Sequence, residues 1–186
     1  KGNVEGSELK ATANVLVIPQ NLQYFVDCNN PDSSTYKSLD KVLDLYNTVP
    51  DQEYADGSWG YTEKYGTHSA DSGDRFDAGW YAYSGQSINY KVPLKAGRYD
   101  LTFGFKEWWS QNRPMKVSAS YTPLNGETVT QALFTTTISG NDTATPKASL
   151  TLPQDALVSL TVAKNLGPDP VLSYFSVQQE IDHSAL

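Results

Sequence analysis

Tyr99-Asp-Leu-Thr-Phe-Gly-Phe-Lys-Glu-Trp-Trp-Ser-Gln-Asn-Arg113 is the stretch from which the fold is read. Leu101, Phe103 and Phe105 alternate with Asp100, Thr102 and Lys106, the period of a half-buried β-strand. Successive Cβ atoms of a strand point to opposite faces. The neighbours Trp108 and Trp109 therefore cannot both turn into one core, and at least one indole is expected on the surface at a strand end. Lys106, Glu107, Gln111, Asn112 and Arg113 surround it. An indole beside fixed polar groups suits a sugar ring, whose C–H face stacks on the aromatic while polar side chains take its hydroxyls.

Outward from this strand, turn formers punctuate a series of short apolar-alternating segments. Pro93 to Gly97, Thr122 to Gly126, Gly140-Asn-Asp142, Pro153-Gln-Asp155 and Gly167-Pro-Asp-Pro170 separate expected strands at 79–84, 86–93, 98–107, 114–122, 127–138, 147–152, 156–163 and 171–178. Two more are expected at 14–18 and 22–28. Many short strands joined by turns specify an all-β sandwich. Two segments break the rhythm. Tyr36, Leu39, Val42, Leu43 and Tyr46 have helical spacing, which predicts one short helix within 33–46, capped by Ser33 or Ser34. Residues 47–78 read as a long polar loop of the length that usually carries function, too rich in Tyr and Trp for disorder.

At 186 residues the chain is long enough for one domain with its own core. We expect a linker or arm at 1–12, the sandwich over 13–179 and a tail at 180–186. The chain begins at Lys1 with no signal peptide and reads as a segment of a longer polypeptide, whose other domains are expected partners. A net charge of −7 argues against a nucleic-acid partner. No apolar run approaches the ~20 residues of a membrane helix. A single cysteine, Cys28, excludes an internal disulfide and reads as a small buried hydrophobe at a strand end.

Ser87-Ile-Asn-Tyr-Lys-Val-Pro-Leu-Lys-Ala-Gly-Arg-Tyr-Asp-Leu-Thr-Phe-Gly-Phe-Lys-Glu-Trp-Trp109, Asn112-Arg-Pro-Met-Lys-Val-Ser118 and Pro170-Val-Leu-Ser-Tyr-Phe-Ser-Val177 follow one another in an order and spacing that resemble the malectin-like carbohydrate-binding modules found beside bacterial glycoside hydrolases. The resemblance implies a jelly-roll β-sandwich of two antiparallel sheets that binds an oligosaccharide or polysaccharide in loops at one end, in an extracellular or wall-attached protein. It places the aromatic pair on Trp108 and Trp109, an upstream tyrosine on Tyr83, a last-loop aspartate on Asp169 and a tyrosine of the early loop on Tyr61. Tryptophan replaces the family's smaller aromatics here, and the loop at Asn165 to Pro170 is tighter, so sugar preference does not transfer.

The same residues have structural readings. Trp59, with glycines on both sides of Ser58-Trp59, is as well suited to packing the long loop onto the sandwich as to binding, and leans towards the core, whereas Tyr61 leans towards the site. Alternation puts Tyr81 and Tyr83 on one face and Trp80 on the other, in the core. Asn165 and Asp169 are ordinary turn formers as well as hydroxyl partners. Asp51, Glu53, Asp56, Asp71, Asp74 and Asp77 could supply oxygen ligands to a structural calcium ion, without calcium-loop spacing; no other cofactor is expected. Glu107 and Asp169 could be nominated as a glycosidase pair, but nothing in the sequence marks them as one, and His68 and His183 stand alone. The expectation is a non-catalytic carbohydrate-binding module; the alternative is a structural spacer or adhesin-type sandwich without sugar affinity.

Overall fold

The computed structural model describes residues 21–68 and 73–181. The arm at 1–12, the expected strand at 14–18, Asp71 and His183 lie outside the described residues. The described residues form thirteen strands and one helix: β1 (Leu22–Asp27), α1 (Ser34–Asp40), β2 (Gly60–Tyr61), β3 (Gly66–His68), β4 (Gly79–Tyr81), β5 (Ile88–Leu94), β6 (Gly97–Lys106), β7 (Arg113–Tyr121), β8 (Val129–Ile138), β9 (Thr143–Ala144), β10 (Lys147–Leu152), β11 (Ala156–Lys164), β12 (Val171–Leu172) and β13 (Tyr174–Gln179).

These make a jelly-roll β-sandwich. One sheet has the order β1-β13-β6-β10, with β9 added to the end of β6, and the other the order β2-β5-β11-β7-β8. A small third sheet, β12-β4-β3, sits beside the end of β6 that leads to Trp108 and Trp109. Alternation generates the core. Tyr99, Leu101, Phe103 and Phe105 of β6 face Ile88, Tyr90 and Val92 of β5, Met115 and Val117 of β7, and Val158, Leu160 and Val162 of β11 across one interior. Strand β8 is an edge with only Ile138 buried. Cys28 is fully buried just past β1 and accepts a hydrogen bond from the Tyr90 hydroxyl.

The helix is shorter than its apolar spacing predicts. Ser33 caps it, its Oγ accepting from Tyr36 N at 3.0 Å, and it ends at Asp40. Tyr36 and Leu39 are buried in a second cluster with Leu22, Phe25, Leu45 and Tyr174, on the outer side of β1 and β13. Val42 and Tyr46, expected on the same face, are exposed because the chain has left the helix before reaching them.

The long early loop also differs from expectation, since it contributes β2 and β3. It seals the free edge of β1 as well. Asn47 accepts from Phe25 N at 3.0 Å and donates to Phe25 O at 2.6 Å, and Asp27 N donates to Pro50 O at 3.0 Å. An exposed strand edge is thereby given partners by a side chain and a loop.

Candidate functional site

Strand β6 ends at Lys106, and the next residues set the geometry of the site. Glu107 is fully buried, and its backbone N–H donates to Asp142 O. Its Oε2 accepts from Arg113 Nε at 2.6 Å, and its Oε1 from Arg113 Nη2 at 3.1 Å and from the Trp109 backbone N–H at 3.0 Å. Arg113 Nη1 donates to the Asp169 carbonyl. One sealed, bidentate ion pair thus fixes three segments against each other: the tryptophan turn, the start of β7 and the last loop. Such a pair is set by geometry and hydrogen bonding more than by net stability. Ser110 then reverses the chain with φ at 56°.

The two tryptophans separate as strand geometry requires. Trp108 turns in: it is half-buried, donates Nε1–H to Phe76 O at 3.0 Å and stacks on His68 at 4.2 Å with an interplanar angle of 3°. Glycine at 79 makes room for it, since a Cβ there would lie 2.6 Å from the far edge of its ring. Trp109 turns out, with 45% of its surface exposed. It is held edge to face by Tyr81 at 5.1 Å, and the Arg113 guanidinium lies over its ring at 5.6 Å. This is a rigid indole, partly in water.

Beside Trp109 lies a shallow depression of about 420 Å³ lined by Tyr81, Ala82, Trp109, Gln111, Arg113, Pro168 and Asp169. Asp169 Oδ1 accepts from Gly85 N at 2.9 Å, tying the last loop to the turn after β4. The structure therefore brings Trp109 and Asp169 together from the expected set. Tyr83 is 53% exposed and adjoins the depression through an edge contact with Tyr81 at 5.3 Å, without lining it. Asn165 does not line the depression, and its backbone N–H donates to Pro114 O at 3.0 Å.

Two expected residues sit elsewhere. Trp59 is 5% exposed and packs edge to face with Tyr24 in the core, so it takes no part in the depression. Tyr61, expected to lean towards the site, is half-buried and packs on Trp80 at 5.1 Å and Tyr90 at 6.1 Å. Pairing β2 with β5 aligns Tyr61 with Tyr90, whose side chain is interior, and this sets its direction. Of the other lining residues, Gln111 and Arg113 were expected only as polar neighbours of the indole, and Tyr81, Ala82 and Pro168 were not nominated. Tyr81 was within reach, because it shares a face with Tyr83. Arg113 gave no signal that it would pair with Glu107.

Among the described residues no group of three or more His, Cys, Asp or Glu side chains is placed to hold a metal ion. Asp51 instead accepts from Asn29 N, Gln52 N and the Tyr90 hydroxyl, and burial pushes its carboxyl up to about 7 despite these bonds. Asp77 bonds Lys106 at 2.9 Å.

No family model matches the sequence, and no curated protein matches it. The fold does have solved relatives. A tandem of two CBM22 domains from Paenibacillus barcinonensis matches 90% of this chain and 47% of its own length, with a TM-score of 0.57 at 7% identity. The single CBM22-1 xylan-binding domain from the same organism matches over 88% of this chain and 97% of its own, with a TM-score of 0.55 at 7% identity. A β-glucuronidase from Bacteroides uniformis matches over 85% of this chain at 16% identity and a TM-score of 0.55. This chain spans only 18% of the length of that enzyme. At such identities the likeness is one of fold: the β-sandwich of carbohydrate-binding modules.

Proposed function

We propose that this chain is a non-catalytic carbohydrate-binding module, of the malectin-like kind, that holds a larger polysaccharide-degrading enzyme at its glycan outside the cell. The observation that carries the reading is Trp109: a large ring, part exposed, locked by Tyr81 and Arg113 at the rim of a depression that also contains Asp169 and Gln111. A sugar stacks on the indole, and the Asp169 carboxylate and Gln111 amide take its hydroxyls. The CBM22 domains supply support by fold, and the solved xylan-binding domain shows that this architecture can serve a glycan. Binding raises the local concentration of an attached catalytic domain and adds no chemistry of its own.

A catalytic reading is disfavoured by the state of Glu107. A general acid or base must come within hydrogen-bond reach of the sugar. Glu107 has no exposed surface, and both its oxygens are taken by Arg113 and the Trp109 backbone. Migration in native gels containing xylan, β-glucan, galactan or arabinan tests the reading. At least one polysaccharide is expected to retard the wild-type chain strongly and Trp109→Ala clearly less. A chain indifferent to every polysaccharide favours the spacer alternative.

A further inference from the structure

The end of the sandwich remote from Trp109 carries a second aromatic platform. Tyr46 is 57% exposed and stands between two depressions. On one side, about 410 Å³ is lined by Tyr24, Pro93, Lys95, Asp155 and Leu157. On the other, about 300 Å³ is lined by Asn21, Gln23, Asp44 and Gln179. Gly97, where β6 begins, is at this end, and Lys106, where β6 finishes, is at the Trp109 end. The ten-residue strand from one to the other spans nine residue steps, roughly 30 Å at ~3.3 Å per residue.

The platform is rigid. The Tyr46 ring stacks on Tyr24 at 5.6 Å and 25°, and its backbone N–H donates to Gln23 O at 2.7 Å. Tyr24 is held in turn by its hydroxyl, which donates to Pro93 O at 3.0 Å. The polar groups are also set in place. Gln23 Nε2 donates to Gln179 Oε1 at 2.6 Å, and Asn21 donates to the Gln179 carbonyl. The Lys95–Asp155 ion pair, at 3.7 Å, bounds the other side.

We infer that Tyr46 is the platform of a second saccharide site, in which one sugar stacks on its ring and the amides of Gln23 and Gln179 and the Asp44 carboxylate take hydroxyls. A fixed aromatic with amides and carboxylates around it suits a polyhydroxylated ligand, because little ordering is lost on binding and hydrogen-bonding groups face the aqueous rim. A protein partner would call for a broader apolar patch with few charges at its centre, and here Lys95, Asp155 and Asp44 interrupt the surface. With two sites this far apart, a long polysaccharide can engage both and be retained more tightly than a short oligosaccharide.

Titration calorimetry of wild type, Trp109→Ala, Tyr46→Ala and Tyr46→Phe with hexasaccharides of xylan, cellulose, galactan and arabinan tests the inference. Two equivalents are expected to bind wild type for at least one hexasaccharide, and one equivalent each of the two alanine variants. Tyr46→Phe keeps both sites, since the ring is what stacks. Loss of only the Trp109→Ala-sensitive equivalent, with Tyr46→Ala indistinguishable from wild type, overturns the second site and leaves the first. Binding abolished by Tyr46→Ala but unaltered by Trp109→Ala removes the Trp109 site and leaves this one. Two equivalents in Tyr46→Ala, a Tyr46→Phe chain that behaves like Tyr46→Ala, or no binding of any hexasaccharide overturns the inference.

Discussion

Trp108 and Trp109 share a peptide bond and have opposite roles. Trp108 is wedged over Gly79 against His68, so Trp108→Ala removes packing and is expected to destabilise the fold by about 2–3 kcal/mol, below the full cost of a wholly buried aromatic. Trp109→Ala removes a ring that already meets water. Its Tm should stay within a few degrees of wild type while saccharide binding at this site is lost, and thermal melts beside affinity gels check both halves. Arg113 is a different case. Arg113→Ala strands the buried Glu107 carboxylate, with an expected cost of about 3–5 kcal/mol in a denaturant titration. A Glu107→Gln, Arg113→Met double variant should recover a large part of that loss, because no buried charge is then left alone.

At the level of elements, the long strands were legible because period-2 alternation is strong over six or more residues. The expected strand at 147–152 coincides with β10, and those at 98–107 and 156–163 differ from β6 and β11 by a single residue at their ends. Strands β2, β3 and β9 have only two or three residues, too few to show a period. The helix was over-read because Val42 and Tyr46 keep helical spacing after the helix has ended. Asn47 illustrates what a pattern cannot carry: its buried amide satisfies both backbone groups of Phe25. Asn47→Ala leaves those groups without that partner, and amide exchange at Phe25 and Val26 should quicken well before global unfolding.

Across the whole molecule, two carboxyls make stability depend on pH in an unusual direction. Asp27 is fully buried with Oδ1 unpartnered, and burial pushes it up to about 7, as burial does for Asp51. The unfolded chain releases these protons near pH ~3.9. Between that pH and about 7 the folded chain holds protons that the unfolded chain has lost, so these groups lower stability as pH rises and add no further change above 7. The Tm is expected to be higher at pH 5 than at pH 8, and Asp27→Asn with Asp51→Asn should flatten the difference; a wild-type Tm that climbs across this range contradicts the assignment.

The candidate site was legible in half. Adjacent indoles at a strand end could be read from the sequence, as could Asp169 in the last loop. That Tyr61 pairs beside Tyr90 and faces inward, or that Glu107 and Arg113 clamp the site from beneath, depends on contacts between residues distant in sequence that no local pattern encodes. Tyr46 lay hidden for a related reason, since its helical spacing suggested a buried face.

The central claim is that the Trp109 indole covers a sugar. Fluorine NMR of chain labelled with 5-fluorotryptophan resolves it, with the four resonances assigned by single Trp→Phe variants. Titration with an oligosaccharide of the polysaccharide that retards the chain is predicted to shift the Trp109 resonance most, with Trp80 unmoved. A Trp109 resonance that stays in place at saturation contradicts the account.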